Sequence, residues 1–325
     1  MKTTLNLSEL YGPIAPELEH VRAMIGEVWT DALNLVRVPV PERPGVGGKL
    51  LRPALCLLSA RVIGSGDIER YVPLATSYEA LHIASLAHDD VVDKAALRRG
   101  GSALNVLWDN HAAVLGGDYL VARAIEFLAG YNCCDIIARA IACIRRMAEG
   151  ELVYFGREDA PFTREDCLAL AECKTASLFA EACAGPTYLI DSAHRAPLYA
   201  FGMALGIAFQ IIDDLIDVTQ TAEQLGKPAC GDLVEGKRTL PILYMRARLS
   251  PEEYARLDTM RGARLTEADQ AWARAAVERT GAREQAEADA RHFADQAVEH
   301  LAALPSGPAR DSMEGLVDFI LVRTS

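Results

Sequence analysis

Between Tyr78 and Gly100 the apolar and small residues recur at helical spacing. Tyr78, His82, Ser85, Asp89 and Asp93 then share one stripe of a single helix. The stripe ends in two carboxylates that stand one turn apart. The pattern returns between Gly202 and Asp217, where Gly206, Gln210, Asp213 and Asp217 fall on one stripe with the same Asp-Asp-x-x-Asp ending. About three turns of apolar or small residues precede each triplet, which buries the helix and sets its acidic end at a pocket mouth.

Further helices are predicted by the same periodicity and by end signals. Residues 8–35 read as an amphipathic entry, with Ser8 as cap and Pro16 in the first turn of the longer helix. Residues 41–53 form a loop, and Pro53 opens a helix to Ile63. Ser102 caps the segment after the first triplet, and helices continue over 111–129 and 133–155. Gly116-Gly117 inside the former costs about 1 kcal/mol per glycine in propensity, which close helix approach must offset. Thr163 and Asp166 start another helix as a capping box, Gly202 and Gly206 allow tight packing, and Gly226–Leu240 is a loop. Helices near 266–279 and 283–303, a turn at 305–308 and a last helix through Leu321 complete the chain. The mixed charges beyond Pro251 read as a solvated outer layer.

Composition narrows this reading. Half of the 325 residues are hydrophobic but only 6% aromatic, which suits packed helices more than sheets. No Ser/Gly/Pro-rich linker divides the chain, so residues 1–325 read as one domain. A net charge of −12 argues against nucleic acid as a partner. No stretch reaches the roughly 18 uncharged apolar residues of a membrane span, and the N-terminus lacks a signal-peptide core. The expected location is the cytoplasm, where eight cysteines without a Cys-x-x-Cys pair serve as small core residues.

The chemistry lies in the polar stripe ends. Like charges at i and i+4 repel, so Asp89 and Asp93 call for a cation, and an all-oxygen site without His or Cys suits Mg²⁺. Lys49 and Arg52, three apart beside a glycine pair and near a helix start, can converge on one anion; without the rest of the chain they are equally two solvated side chains. Arg98 and Arg99 point to different sides, which suits two anions better than one. Glu17-x-x-His20 and Glu79-x-x-His82 match the pairs that hold di-iron centres in bundles. The bridging glutamates such a centre needs have no evident source, and the first pair lies in a polar segment.

Gly47-Gly48-Lys49-Leu50-Leu51-Arg52-Pro53, the first triplet with Arg98-Arg99-Gly100, Gly117-Asp118-Tyr119-Leu120, Lys174-Thr175-Ala176, the second triplet, and Gly226-Lys227-Pro228 with Asp232-Leu233 and Glu235-Gly236-Lys237 occur in this order across nearly the whole chain. The chain thereby resembles the trans-type polyprenyl synthetases, which join isopentenyl diphosphate head-to-tail to an allylic diphosphate. The resemblance implies an all-α single-domain bundle of ten or more helices around a central cavity, the aspartate motifs facing each other at its mouth, and a homodimer. It implies two or three Mg²⁺ ions on Asp89, Asp93 and Asp213, assisted by Asp90, Asp214 and Asp217. By resemblance Lys49, Arg52, His82 and Arg99 hold isopentenyl diphosphate, Arg98, Lys174 and Thr175 reach the allylic diphosphate, and Lys227 and Lys237 close over it. Gln210 joins the substrate contacts, and Asp89, Asp93, Asp213, Lys174 and Lys227 carry the catalysis.

The chain departs from the family at Leu50, where a second basic residue is common, and at Tyr154, where Gln is common. Ala84 and Ser85 lie about one helical turn before Asp89, where the growing tail passes. Short-chain members carry a bulky aromatic there, so these two small residues imply a product longer than geranylgeranyl diphosphate unless deeper residues such as Leu81 or Tyr154 block the path. Farnesyl or geranylgeranyl synthesis is the alternative. A class I terpene cyclase would leave Lys49, Arg52, His82 and Arg99 without a role, and a non-catalytic partner subunit would not need both triplets complete.

Overall fold

Two long helices, Val72–Val92 and Arg195–Thr219, carry the aspartate triplets, and the other helices are arranged around them. The computed structural model describes residues 6–36, 48–93, 97–98, 101–155, 162–190, 192–225 and 228–322, without the side chains of 97–98, 101–102 and 154–155. Among them the regular structure is helical apart from a two-stranded antiparallel ribbon, Leu97–Arg98 against Gly101–Ser102.

The first aspartate helix is buried for most of its length, through Leu74, Ala75, Ala80, Leu81, Ile83, Ala84 and Ala87. It packs chiefly on Asn110–Ala129, with Ala15–Val36 and Leu51–Val62 on its other sides. The second packs on Ser177–Ala184 and on Ala282–Leu301. The glycines set these distances. A Cβ on Gly117 would stand 2.3 Å from the His88 ring, one on Gly202 2.6 Å from the Phe179 carbonyl, and one on Gly206 2.5 Å from Ala176 Cα. Gly202 and Gly206 thus sit in backbone contact with the neighbouring helix and Gly117 admits the His88 ring, and this close approach offsets the glycines' poor propensity.

Several ends differ from expectation by one or two residues. The first short helix, Leu7–Leu10, is capped by Asn6, whose Oδ1 accepts from the Ser8 N–H at 3.1 Å, and not by Ser8. The helix expected to open at Pro53 begins at Leu51, behind Leu50 in the left-handed region at φ 50°. Ala103, not Ser102, precedes Leu104–Trp108, and Asp109 caps Asn110–Ala129 by accepting from the Ala112 N–H at 2.9 Å. The capping box at Thr163 and Asp166 forms as expected, and Pro16 sits in the first turn of Ala15–Val36.

The C-terminal layer is more than a solvated shell. Ala282, Ala286, Ala290, Ala294, Ala297 and Leu301 form a buried stripe that lets Ala282–Leu301 lie close on the second aspartate helix, while its opposite face carries exposed charge. One continuous core runs from Tyr11 to Ile320.

Backbone contact at Gly206 gives a direct test. Alanine should gain about 1 kcal/mol from propensity but collide with Ala176, so Gly206→Ala should destabilise by about 1–3 kcal/mol. The exposed Gly66 has no atom within 4 Å of its would-be Cβ and is the control. Thermal unfolding should show a lowered midpoint for Gly206→Ala and none for Gly66→Ala; equal midpoints would contradict the close packing.

Candidate active site

Between the ends of the two aspartate helices opens a cavity of about 660 Å³. Its mouth is lined by Asp89 and Asp93 from one helix and Asp213, Asp214 and Asp217 from the other. Its deeper wall includes Leu81, Ala84, Val121, Ile144, Met147 and Phe209. An anion-handling mouth thus sits above an apolar tube.

The helix that begins at Arg164 changes pitch where it meets this mouth. Glu172–Ala176 forms a π-helical turn between Arg164–Ala171 and Ser177–Ala184, and this turn carries Lys174 and Thr175. Inserting a π turn widens the helix locally and re-aims its side chains, a feature common at functional sites. Lys174 Nζ reaches Asp89 Oδ2 at 3.4 Å and Glu151 Oε1 at 2.6 Å. Thr175 Oγ1 donates to Gln210 Oε1 at 2.5 Å, and Gln210 Nε2 donates to Asp214 Oδ1 at 2.6 Å. The π turn thereby links the two aspartate motifs, through Lys174 to Asp89 and through Thr175 and Gln210 to Asp214.

Lys237 makes a second bridge. Its Nζ lies 2.9 Å from Asp93 Oδ2 and also contacts Glu235, tying the segment after the second motif to the first motif across the mouth. The short helix Gly231–Glu235 brings Asp232, whose N–H donates to Asp217 Oδ2 at 3.0 Å.

Among the described residues the lining carries more negative than positive charge: eight carboxylates (the five named aspartates with Glu151, Asp232 and Glu235) stand against four permanent cations, Arg52, Lys174, Lys237 and Arg238. Burial, with Asp213 and Asp217 adding to it against the Gln210 hydrogen bond, pushes the Asp214 carboxyl up to about 7. Burial also raises Asp89 despite the opposing Lys174, and raises Asp232 well above the usual carboxylate range with Asp217 and Asp214 contributing. Burial alone would lower the lysines, but Asp89 and Glu151 outweigh it at Lys174, and Asp232, Glu235 and Asp93 at Lys237, so both stay charged. Such an all-oxygen, over-negative donor set fits hard divalent cations. Among the described residues no three His, Cys, Asp or Glu side chains already form a closed cage, because the carboxylates line facing walls with lysines between them.

Most residues singled out in the sequence meet here. Arg52, His82, Ala84, Ser85, Lys174, Thr175, Gln210 and Lys237 line the cavity with the five aspartates. The Ser85 hydroxyl donates to the His82 carbonyl at 2.8 Å, so it is satisfied within its own helix. Asp90 is buried and does not line the cavity. Lys49 also lies outside the lining, with its ammonium 5.2 Å from the Phe319 ring centroid and its carbonyl accepting from Tyr11 Oη at 2.6 Å. Arg99, Lys227 and the side chains of Arg98 and Tyr154 lie outside the described residues. The di-iron pattern does not assemble: Glu17 pairs with Arg61, His20 with Glu69, and only His82 of the four lines the cavity.

Sequence reading gave no role to Glu151 or Arg238 and quoted Asp232 and Glu235 only as parts of a motif. Glu151 stands four residues before the end of its helix with no triplet around it, and only packing shows that it faces Lys174.

Comparison with known proteins shows the family. A family profile described as polyprenyl synthetase matches residues 36–278. An all-trans-nonaprenyl-diphosphate synthase of Rhodobacter capsulatus is 33% identical over 97% of both chains, and heptaprenyl diphosphate synthase component 2 of Geobacillus stearothermophilus is 36% identical over 97% of this chain and 96% of its own. The fold superposes on a polyprenyl synthase of Caulobacter crescentus, solved with calcium and isoprenyl diphosphate, with a TM-score of 0.89, 31% identity and full coverage of both chains. The chain, with both aspartate motifs facing one cavity, belongs to the polyprenyl synthetase family of prenyltransferases.

Proposed function

We propose that this enzyme condenses isopentenyl diphosphate with an allylic diphosphate to make a trans-polyprenyl diphosphate longer than geranylgeranyl. The observation that carries this reading is one cavity with opposed carboxylates at its mouth and a long apolar wall beneath, floored beside the first motif by the small residues Ala84 and Ser85. Relatives named as nonaprenyl, heptaprenyl and octaprenyl synthases support the long product.

Two or three Mg²⁺ ions, held by Asp89, Asp93 and Asp213 with Asp214 and Asp217 beside them and Asp90 in support behind, would neutralise the allylic diphosphate as leaving group. Lys174 and Thr175 contribute positive charge and a hydroxyl to the same diphosphate, and Lys227 and Lys237 close over it. Arg52, His82 and Arg99 hold isopentenyl diphosphate with its double bond toward the allylic carbon, and Lys49 would join them only by swinging its ammonium away from Phe319. When the allylic C–O bond breaks, that double bond attacks the carbocation, and the proton then lost passes to the departed diphosphate. Leu81, Val121, Ile144 and Phe209 keep water from the cation.

The continuous core supports one domain acting as a unit. A homodimer accounts for the exposed apolar side chains, six of ten of which (Val106, Val114, Leu115, Ile141, Leu152, Val153) fall between residues 104 and 155. No helix among the described residues is long and apolar enough to cross a membrane, in keeping with a cytoplasmic enzyme.

Asp89→Asn or Asp213→Asn should keep the fold and lower turnover by about a hundredfold or more, through loss of transition-state electrostatics. Unchanged kcat in either variant, or full activity in EDTA, would refute the mechanism.

The division between substrates is separately testable. Arg52→Ala should raise KM for isopentenyl diphosphate more than for the allylic primer, and Lys174→Ala the reverse, each contact contributing about 1.5–3 kcal/mol. Steady-state kinetics with both substrates varied decides this, and equal effects of both variants on both substrates would overturn the division.

Product length tests the tube. Ala84→Phe places an aromatic ring in the wall one turn below Asp89 and should shorten the main product while leaving the first condensation nearly intact. Chromatographic sizing of products made with each allylic primer would refute the long-chain reading if the unaltered enzyme stops at geranylgeranyl diphosphate or earlier.

A further inference from the structure

Phe179 is fully buried on Ser177–Ala184, behind the cavity wall, and is not among the residues lining the cavity. Its ring touches two groups that do line it. The Arg52 guanidinium carbon stands 4.6 Å from the Phe179 centroid, and the Phe209 ring lies 5.3 Å away at an interplanar angle of 37°. Arg52 is only 8% exposed, so its cation–π contact is largely shielded from water, where such contacts are strongest. Phe209 immediately precedes Gln210, the residue hydrogen-bonded to Thr175 and Asp214.

The contact exists because of the glycines of the second aspartate helix. Gly202 abuts the backbone of Phe179 and Ala180, and a Cβ on Gly206 would stand 3.1 Å from Phe179 Cβ. Any larger residue would lift Phe209 away from Phe179. One ring therefore links the start of Leu51–Val62, which supplies Arg52, to the second aspartate helix, which supplies Phe209.

We propose that Phe179 is a positioning residue for the isopentenyl diphosphate half of the reaction, holding the Arg52 guanidinium in place for the diphosphate and Phe209 in the wall beside the reacting carbons. This rests on the reading of Arg52 as a ligand to isopentenyl diphosphate. A guanidinium held against a ring loses little further freedom when it binds an anion, so removing the ring weakens binding of that substrate without removing any group that touches it. Lysine at position 52 would keep the charge but lose the planar stack.

The test is a double-mutant cycle between Phe179→Met and Arg52→Lys, with KM for each substrate, kcat and the thermal midpoint measured for every variant. Phe179→Met keeps an apolar side chain of similar bulk, and Phe179→Leu is a second ring deletion should the first fail to fold. Each single change should raise KM for isopentenyl diphosphate about tenfold while leaving the allylic KM within about twofold, and the double variant should be no worse than Arg52→Lys alone. Phe179→Tyr, which keeps the ring, should restore most of the affinity. The inference is overturned if ring deletion leaves that KM unchanged, raises both KM values equally, or multiplies with Arg52→Lys. If Arg52→Ala itself leaves the isopentenyl diphosphate KM unchanged, the assignment of Arg52 falls instead, and this inference with it.

Discussion

Everything at this site depends on crowding carboxylates at the edge of a low-dielectric cavity. Buried like charges a few ångströms apart repel far more strongly than on a surface. Asp214 responds by holding its proton up to about pH 7, and Lys174 and Lys237 respond by standing between carboxylates. In the proposed reaction an anionic mouth of this kind would take up divalent cations and, through them, diphosphates. The two lysines partner the aspartates in the arrangement described, and in the proposed reaction their charge would become available to a phosphate once cations take up the carboxylates.

Holding that charge in place requires rigid support, and the support comes from backbone contact. Gly202 and Gly206 press the second aspartate helix onto Ala176, Phe179 and Ala180, and the π turn at Glu172–Ala176 then delivers Lys174 and Thr175 to the mouth. The buried alanine stripe of Ala282–Leu301 supports the helix from the other side. On the neighbouring helix Asn110–Ala129, Gly117 makes room for His88 of the first aspartate helix, so that helix too is seated closely against its neighbour.

Below the mouth the wall is apolar, and the two halves divide the work. In the proposed reaction, charge at the mouth would bind the diphosphates and promote departure of one of them, while the hydrocarbon wall would shield the cation from water and receive the lengthening tail. Small side chains at Ala84 and Ser85, with the Ser85 hydroxyl turned back on its own helix, leave that wall open beside the carboxylate edge.

The sequence alone determined the helical class, the two aspartate stripes, the capping box at Thr163 and most of the cavity's polar residues. Those features are written in local periodicity or in short ordered motifs, and i, i+4 spacing fixes which side chains share a helix face whatever packs around it. Helix ends were read one or two residues off at Asn6, Leu51 and Asp109, because caps depend on which neighbouring side chain reaches the free N–H groups. Periodicity says that a residue lies on a face but not what that face meets. Only the tertiary structure could decide that Glu151 opposes Lys174, that Lys237 reaches Asp93 across 144 positions of sequence, that Asp90 turns away from the cavity while Asp89 lines it, and that Ala282–Leu301 hides an alanine stripe beneath its charges. Each joins elements distant in the chain, and such contacts are set by how whole helices pack rather than by any residue's own neighbours.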